Sequence, residues 1–316
     1  MKSGRVSVAI PLYNEEEVMP ELLARVTAVL SALPGGPHEV VLVDDGSSDR
    51  TLEILAAAAA GDPRLVVVSL SRNFGHQSAL SAALDHATGD VLVVMDGDLQ
   101  DAPEAIPQLL DELDKGFDVV YAKRVARKEG PLLRACYYFF YRAIDALSDV
   151  RLPLDAGDFG VLSRRVVDRI RSLPEHHRYL RGLRTWVGFR QTGVPVPRGP
   201  RFSGESRYGW RRLFSLAFDG IFSFSMAPLR AAAVLGLFTM LASLAYTLYA
   251  VVVKLLHGTT PAGFTALIVV MTLFGGIQLL FLGVIGEYLG RVYEEVKGRP
   301  HYVIGQVIRG GKRDGA

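Results

Sequence analysis

The chain has 316 residues and a formal net charge of only +2. This length suits one large globular domain with an appendage, and the nearly balanced charge argues against a strongly basic nucleic-acid-binding protein. The single cysteine, Cys136, excludes an internal disulfide and is typical of a protein from a reducing compartment.

Three apolar stretches in the first third of the chain each end in a polar cluster. The clusters are Pro11-Leu12-Tyr13-Asn14-Glu15, Asp44-Asp45-Gly46 and Asp96-Gly97-Asp98. Predicted helices at about residues 17–33, 50–60 and 75–88 separate the apolar stretches. Alternating strands and helices predict a parallel sheet with right-handed crossovers, so all three clusters should lie at one edge of the sheet.

Asp96 and Asp98 stand two positions apart at the carboxyl end of the third apolar stretch. Two close carboxylates repel each other unless something neutralises them, and Mg²⁺ or Mn²⁺ does so while leaving positions for phosphate oxygens. The alternative is a solvated Asp-Gly turn, which is common after strands. Together the three clusters suit a nucleotide diphosphate held through a metal ion. The chain has neither GxGxxG nor a Walker lysine loop, which argues against a dinucleotide site and a P-loop.

With these motifs in this order, the chain resembles the family 2 glycosyltransferases of the GT-A fold. The resemblance rests on the three clusters, extended by Ser47, Asp49 and Thr51 and by Leu99-Gln100-Asp101. The segment Ser71-Arg72-Asn73-Phe74-Gly75-His76-Gln77 makes the chain similar to the subgroup that moves one sugar from a nucleotide onto a polyprenyl phosphate, as dolichol-phosphate-mannose synthase does. The resemblance implies an α/β, Rossmann-like catalytic domain with a mostly parallel sheet. It also implies a homo-oligomer, such as a tetramer.

The resemblance further implies roles for individual residues. Asp98 and Asp96 would be the metal ligands, and Asp158 would lie near the reacting centre as a base or as an orienting group. A turn or helix-cap acid is the structural alternative for Asp158, and His76 is weighed as a structural residue at the start of a helix. The residues implied for the nucleotide-sugar donor are Pro11, Tyr13, Asn14, Glu15, Asp44, Asp45, Gly46, Asp96, Gln100 and Arg207, the last of which is often Lys in the family.

A basic segment follows the predicted strand 118–122 and contains Lys123, Arg124, Arg127 and Lys128. Arginine binds phosphate oxygens through a planar fork of N–H groups. The resemblance makes Arg124 and Arg127 the candidates for binding the acceptor phosphate, whereas the alternative is a solvated basic loop. A phosphate dianion is already a nucleophile near neutral pH, because its second pKa is about 6, so a strong general base is not required.

The composition changes after about residue 225, since residues 231–253 and 259–286 contain no charged side chain. The first of these stretches would reach ~34 Å as a helix, enough for a bilayer core of ~30 Å. The sequence therefore predicts a transmembrane hairpin at 229–288, with helices at about 230–254 and 262–286. Basic residues outside the hairpin place both chain ends in the cytoplasm. We expect a multi-pass protein of the inner (cytoplasmic) membrane.

The other predicted regions are a cytosolic GT-A catalytic domain at 1–208, an interfacial amphipathic helix at 209–228 and a cytoplasmic tail at 289–316. Residues 131–147 and 210–225 mix aromatic and basic side chains, which is typical of helices at the membrane surface. Ordinary amphipathic core helices are the alternative for both segments.

The combined expectation is a metal-dependent, inverting transfer of one hexose from UDP-glucose to undecaprenyl phosphate at the cytoplasmic membrane face. UDP-N-acetylglucosamine, GDP-mannose and UDP-aminoarabinose remain alternative donors. A non-catalytic membrane scaffold with a degenerate transferase domain is an alternative of another class, against which the intact Asp96, Asp98 and Gln100 argue. A processive synthase is disfavoured, because the chain has Leu183-Arg184-Thr185-Trp186 where such enzymes carry Gln-x-x-Arg-Trp.

Overall fold

A computed structural model of the chain describes residues 4–124, 156–175, 178–197, 199, 227–258 and 263–315. These residues form two compact units. One unit holds the described residues up to 199 together with 299–315, and the other holds 227–258 and 263–298. The predicted interfacial segments, and with them Arg127, Cys136 and Arg207, lie outside the described residues.

Strands and helices alternate along the first part of the chain. The elements are β1 (Val6–Leu12), α1 (Met19–Ala32), β2 (Glu39–Asp44), α2 (Thr51–Gly61), β3 (Leu65–Leu70), α3 (His76–His86), β4 (Val91–Val94), α4 (Ile106–Leu113), β5 (Val119–Arg124), β6 (Ala156–Ser163), α5 (Arg164–Arg171), α6 (Leu180–Trp186) and β7 (Gln191–Val196). The helices predicted at about 17–33, 50–60 and 75–88 correspond to α1, α2 and α3. The strands are rich in valine, whose branched side chain favours the extended backbone, and α1 has a proline in its first turn, where no N–H is needed.

Nine strands of the described residues form one sheet, in the order β7-β5-β6-β4-β1-β2-β3-β8-β9. β4, β1, β2 and β3 run parallel, whereas β6 is antiparallel to both β4 and β5. The carboxyl ends of β1 to β5 therefore lie on one side, which we call the carboxyl edge. The predicted mostly parallel α/β sheet is confirmed, and open sheets of this kind bind ligands at this edge.

Alternate side chains of the central strands pack on opposite faces of the sheet. Val8 and Ile10 of β1 join a buried cluster with Leu22 of α1 on one face. Ala9 of the same strand joins a second buried cluster with Leu80 of α3 on the other face. Helices thus cover both faces, which explains why these strands are apolar along their whole length. The packing fixes the positions of the strand ends and therefore of the polar clusters that follow them.

The described C-terminal residues form two strands that are not among the elements predicted for the tail 289–316. β8 (Ile304–Arg309) pairs with β3 in the antiparallel direction, and β9 (Lys312–Gly315) pairs with β8. Beside this pairing, the hydroxyl of Tyr302 donates to Asp85 Oδ2 at 2.7 Å. The end of the chain therefore completes the sheet of the first unit.

The second unit consists of two long apolar helices, α7 (Ala227–His257) and α8 (Phe264–Lys297). Each contains an uncharged apolar stretch long enough for a bilayer, and many of their large apolar side chains are exposed. Helices of this length and composition can cross a membrane. They coincide with the predicted spans 230–254 and 262–286, except that α8 continues to Lys297.

Candidate active site

The loops after β1 and β2 are joined by side-chain hydrogen bonds. Asn14 has a left-handed backbone, with φ of 54°, and its N–H donates to Ser47 Oγ at 3.0 Å. Its Oδ1 accepts the N–H of Ser48 at 2.8 Å. The N–H of Glu15 donates to the hydroxyl of the threonine that begins α2, at 2.9 Å. These contacts bring the predicted donor residues of the two loops together and leave Tyr13, which is 42% exposed, at the surface.

Asp45 is buried, and its carboxylate binds the loop after β3. Its oxygens accept the N–H groups of Phe74 at 2.7 Å and Gly75 at 2.9 Å. Burial raises the pKa of Asp45, and these hydrogen bonds oppose that shift. Asp44 is also buried, and its Oδ2 accepts the hydroxyl of Ser69 at 3.2 Å. Both carboxylates therefore position loops of the carboxyl edge, and their contact with a donor stays a prediction.

Two glycines allow the loops of this edge to approach their neighbours closely. Gly46 has φ of 67°, and a Cβ there would lie 2.5 Å from the carbonyl carbon of Arg72. A Cβ at Gly97 would lie 2.3 Å from Leu12 Cδ2. A side chain at Gly46 would push the loop after β2 away from the backbone of the loop after β3, whereas one at Gly97 would require the buried side chain of Leu12 to move. The predicted donor residue Pro11 is buried within β1, close to this contact.

Asp96 lies close to two side chains from other parts of the chain. His76 at the start of α3, Asp96 after β4 and Asp158 in β6 offer ligand atoms that all lie within 4.8 Å of one another. His76 Nε2 is 3.6 Å from Asp96 Oδ1. Two carboxylate oxygens suit Mg²⁺ and Mn²⁺, and the added imidazole nitrogen favours a transition metal such as Mn²⁺. These residues therefore fit the divalent cation that the sequence predicts.

The composition of this cluster differs from the predicted pair of metal ligands. Of Asp96 and Asp98, only Asp96 belongs to it. Asp98 is buried, and its Oδ1 accepts the N–H of Gln100 at 3.1 Å, which shapes the turn after β4. The part of Asp98 in metal binding stays a prediction. His76, weighed as structural from the sequence, is placed at the candidate centre because the start of α3 meets the end of β4.

Asp158 forms a bidentate ion pair with Arg181 of α6. Arg181 Nε donates to Oδ1 and Nη2 donates to Oδ2, both at 2.7 Å. Burial alone would raise the pKa of Asp158, but the charge and the hydrogen bonds of Arg181 outweigh it and lower the pKa to about 2. Asp158 is therefore ionised at neutral pH and held in one orientation.

Arg181 and Arg184 have no role predicted from the sequence, although both lie on α6 beside Asp158. Arg184 is only 3% exposed and donates from Nη1 to the carbonyl oxygen of Gly157 at 3.1 Å. The available signal in the sequence was a pair of arginines three positions apart, on one side of a short helix with apolar residues. That signal does not identify the carboxylate that they meet.

Arg124 is the last residue of β5 and therefore lies at the carboxyl edge, as the sequence predicts. β5 pairs with β6, the strand that contains Asp158, and β7 runs parallel to β5 on its other side. The predicted contacts of Arg127 and Arg207 with phosphate groups involve residues that the structure does not describe. The predicted binding of an acceptor phosphate thus rests, among the described residues, on the position of Arg124 in the sheet and stays a prediction.

Fold and site together define a glycosyltransferase of the GT-A type, and comparison with known families agrees. The model described as Glycosyl transferase family 2 matches residues 7–171, and the model described as GtrB C-terminal hairpin matches residues 227–292. The chain belongs to glycosyl transferase family 2, and its two long helices form a hairpin of the GtrB type.

Similar proteins cover nearly the whole chain. The "Uncharacterized glycosyltransferase sll0501" of Synechocystis sp. is 43% identical over 300 residues, which are 95% of this chain and 94% of that protein. The SfII prophage-derived bactoprenol glucosyl transferase of Shigella flexneri is 39% identical over 307 residues, covering 97% of this chain and 99% of that protein. The undecaprenyl-phosphate 4-deoxy-4-formamido-L-arabinose transferase of Klebsiella pneumoniae is 34% identical over 312 residues, covering 96% and 94%.

A solved structure supports the fold. The mannosyltransferase PcManGT from Pyrobaculum calidifontis, in complex with GDP-Man and Mn²⁺, has a TM-score of 0.50 with this chain at 21% sequence identity. The match covers 94% of this chain and 86% of that one. The structural match therefore includes residues outside the sheet.

Proposed function

We propose that the chain transfers one sugar from a nucleotide sugar to a polyprenyl phosphate at the cytoplasmic face of the membrane. The observation that carries the proposal is the presence, in one chain, of a charged site at the carboxyl edge and two helices able to cross a bilayer. A water-soluble acceptor would not require such helices, whereas a polyprenyl phosphate keeps its phosphate at the membrane surface. Relatives named bactoprenol glucosyl transferase and undecaprenyl-phosphate transferase support this acceptor class.

UDP-glucose is the favoured donor, because the relative at 39% identity is named a glucosyl transferase. The relative at 34% identity, named for a modified arabinose, supports a second candidate within the same reaction. Sugars that differ in one hydroxyl are told apart by a few hydrogen bonds. Testing a panel of nucleotide sugars as substrates would therefore identify the donor.

His76, Asp96 and Asp158 would hold Mn²⁺ or Mg²⁺, with Asp98 as a further candidate. When bound, the ion would neutralise the donor diphosphate and stabilise the charge on the departing nucleoside diphosphate. Tyr13 and Asn14, in the loop after β1, would contact the nucleotide at the same edge of the sheet. This arrangement uses the exposed ring of Tyr13 and leaves the buried Asp44 and Asp45 to hold the loops.

Asp158 would orient the reacting groups and would not remove a proton. A carboxylate whose pKa is about 2 is a weak base at neutral pH, and a phosphate dianion needs no deprotonation. The acceptor phosphate, bound through Arg124, would attack the anomeric carbon on the side opposite the diphosphate. The new carbon–oxygen bond forms as the bond to the diphosphate breaks, so the anomeric configuration inverts.

The charges around the hairpin support the proposed orientation. Arg230 lies at the start of α7, and Arg291, Lys297 and Arg299 lie in the last two turns of α8 or just after it, whereas the connector side offers only Lys254 and His257. The positive-inside rule places both chain ends in the cytoplasm, where nucleotide sugars are made. The expected homo-oligomer stays a prediction, which the mass of the detergent-solubilised protein would test.

The direct test supplies labelled nucleotide sugars to the purified protein with and without undecaprenyl phosphate. We expect one donor to give label in the lipid phase, and only when the lipid and Mn²⁺ or Mg²⁺ are present. Asp158→Asn should lose this transfer, whereas Asp168→Asn, which alters an exposed carboxylate paired with Arg164, should retain it. Absence of lipid-dependent transfer from every donor in wild type would contradict the proposal and favour the scaffold.

A further inference from the structure

Arg184 is a buried cation that has few hydrogen-bond partners among the residues that the structure describes. Its side chain is 3% exposed, and Nη1 donates to the carbonyl oxygen of Gly157 at 3.1 Å. Its Nε and Nη2 atoms are buried and have no hydrogen-bond partner in the part of the chain that the structure describes. Buried donors of this kind are costly unless a partner satisfies them.

The guanidinium of Arg184 rests on the ring of Tyr121. Its central carbon lies 5.0 Å from the ring centroid, within the range of cation–π attraction. Tyr121 belongs to β5 and faces a glycine on each neighbouring strand, Gly160 of β6 and Gly193 of β7. A Cβ at Gly193 would lie 2.6 Å from a carbon of the ring. Only glycine at this position leaves room for the ring that supports Arg184.

The charges around Arg184 are unbalanced. Asp158 directly follows Gly157, the residue that Arg184 contacts. Both carboxylate oxygens of Asp158 already accept hydrogen bonds from Arg181. Burial lowers the pKa of Arg184 to about 10, and the charge of Arg181 adds to that decrease against the attraction of Asp158. Arg184 thus stays protonated at neutral pH as a second cation beside Asp158, the carboxylate that Arg181 already binds.

The guanidinium of Arg184 lies at the carboxyl edge of the sheet, near the candidate metal ligands. Gly157, which Arg184 contacts, immediately precedes Asp158, and Asp158 lies within 4.8 Å of the ligand atoms of His76 and Asp96. A buried guanidinium supported by an aromatic ring, with N–H groups that no described residue satisfies, suits a phosphate oxygen. An apolar neighbourhood would leave these donors unsatisfied at a cost in free energy.

We propose that Arg184 is a phosphate-binding residue of the active site, held in place by Tyr121, and that its Nε and Nη2 donate to a phosphate oxygen of a bound substrate. The inference rests on the proposed function, which supplies two phosphate-bearing substrates: the nucleotide diphosphate and the polyprenyl phosphate. Both present the same chemistry to an arginine. The experiment below separates them.

The test measures binding and turnover in Arg184→Met, which keeps much of the side-chain length and removes the charge. Isothermal titration with UDP, in the presence of Mn²⁺, reports the donor diphosphate, and titration with uridine controls for the base and ribose. The KM for undecaprenyl phosphate reports the lipid phosphate. We expect one of the two phosphate ligands to lose roughly tenfold to hundredfold in affinity, with uridine unchanged.

The results distinguish which of the two phosphate ligands Arg184 binds. Loss of UDP affinity assigns Arg184 to the donor diphosphate, and a raised KM for the lipid with unchanged UDP affinity assigns it to the acceptor. Arg184→Lys should recover part of the lost affinity, because an ammonium keeps the charge without the fork. Unchanged affinities for both ligands in a folded Arg184→Met protein would overturn the inference and leave Arg184 as a link between α6 and β6.

Two further variants keep the test decisive if Arg184→Met fails to fold. Tyr121→Leu removes the supporting ring and should weaken the same ligand, whereas Tyr121→Phe keeps the ring and should not. Arg190→Met is the matched control, since this exposed arginine also stacks on an aromatic ring, Phe117 at 5.3 Å, at the opposite edge of the sheet. Equal affinities in Tyr121→Leu and Tyr121→Phe, together with wild-type affinities in Arg184→Lys, would also overturn the inference.

The nucleotide titration does not depend on sugar transfer. A loss of UDP affinity in Arg184→Met therefore supports the inference even if wild type transfers no sugar to the lipid. Conversely, wild type that transfers sugar while its Arg184 variants bind both ligands normally leaves the proposed function standing and removes only this inference.

Discussion

Arg181 binds both oxygens of Asp158, through hydrogen bonds of 2.7 Å from Nε and from Nη2. The pair joins α6 to β6 where His76 and Asp96 also approach Asp158. An arginine fork fixes the direction of a carboxylate as well as its charge. Substitutions at Arg181 should therefore separate orientation from charge in the proposed reaction.

Arg181→Lys should lower kcat more than it raises KM for either substrate. The ammonium keeps a positive charge near Asp158 but cannot hold both oxygens, so the carboxylate loses its fixed direction. Loss of one charge-assisted hydrogen bond costs about 1.5–3 kcal/mol, which is roughly 10- to 150-fold in rate. Steady-state kinetics measure the effect, with Arg164→Lys, which alters the surface pair with Asp168, as control. An unchanged kcat in Arg181→Lys would show that the orientation of Asp158 is unimportant.

Removal of the divalent cation should abolish transfer. Chelation with EDTA should inactivate wild type, and Mn²⁺ or Mg²⁺ should restore it, because the donor diphosphate needs its charge neutralised. Asp98→Ala should also abolish transfer in a folded protein if that residue is a ligand. Titration of activity against Mn²⁺ measures these effects. Full activity in EDTA would remove the metal ion from the mechanism.

His76 can be separated from the carboxylates by the metal concentration that each variant requires. His76→Ala should need a higher Mn²⁺ concentration for half-maximal activity, because one ligand of the candidate centre is lost. His86→Ala is a suitable comparison, since that histidine ends the same helix. The same Mn²⁺ requirement in wild type and His76→Ala would return His76 to a structural role.

Arg124→Ala should weaken use of the polyprenyl phosphate far more than binding of the nucleotide sugar. Arg124 ends β5 at the carboxyl edge, and losing a charge-assisted phosphate contact costs about 1.5–3 kcal/mol, or roughly 10- to 150-fold. Arg124→Lys should restore only part of the loss. UDP titration and lipid-dependent turnover are measured on the same variants. If Arg124→Ala loses nucleotide affinity and keeps its KM for the lipid, the residue belongs to the donor site.

Docking of the C-terminal strand should weaken in alkaline solution. Burial raises the pKa of Tyr302, and its hydrogen bond to Asp85 raises it further. Because the folded pKa exceeds the unfolded value of about 10, Tyr302 contributes stability that is complete below that pH and is lost as pH rises through the raised folded pKa. The melting temperature of wild type should therefore fall toward that of Tyr302→Phe above about pH 10. A constant difference between the two proteins from pH 8 to the highest pH tested would contradict this linkage.

The polar clusters of the carboxyl edge could be predicted because their signals are local. Each cluster follows a run of β-branched residues and contains a turn residue, as with Asp44 before Gly46 and Asp96 before Gly97. The alternation of strands and helices then places the strand ends together without knowledge of any side-chain contact. The same local reasoning gives α7 and α8, whose length and lack of charge are visible in the sequence.

The contacts that complete the site could not be predicted, because they join residues that are distant in the sequence. Arg181 lies 23 positions from Asp158, and Tyr302 lies 217 positions from Asp85. Nothing in the local pattern of α6 or of the C-terminal tail specifies these partners. Likewise, His76 reaches Asp96 only because α3 begins beside the end of β4, which depends on the packing of the whole sheet.

The most direct measurement is the mass and anomeric configuration of the lipid product. Wild-type protein would be incubated with undecaprenyl phosphate, Mn²⁺ and the active nucleotide sugar, and the extracted lipid examined by mass spectrometry and NMR. We expect undecaprenyl phosphate to gain the mass of one sugar, with the anomeric configuration opposite to that of the donor, and Asp158→Asn to give none. A lipid carrying several sugars, a product with retained configuration, or free sugar in place of lipid-linked sugar would contradict the proposed transfer.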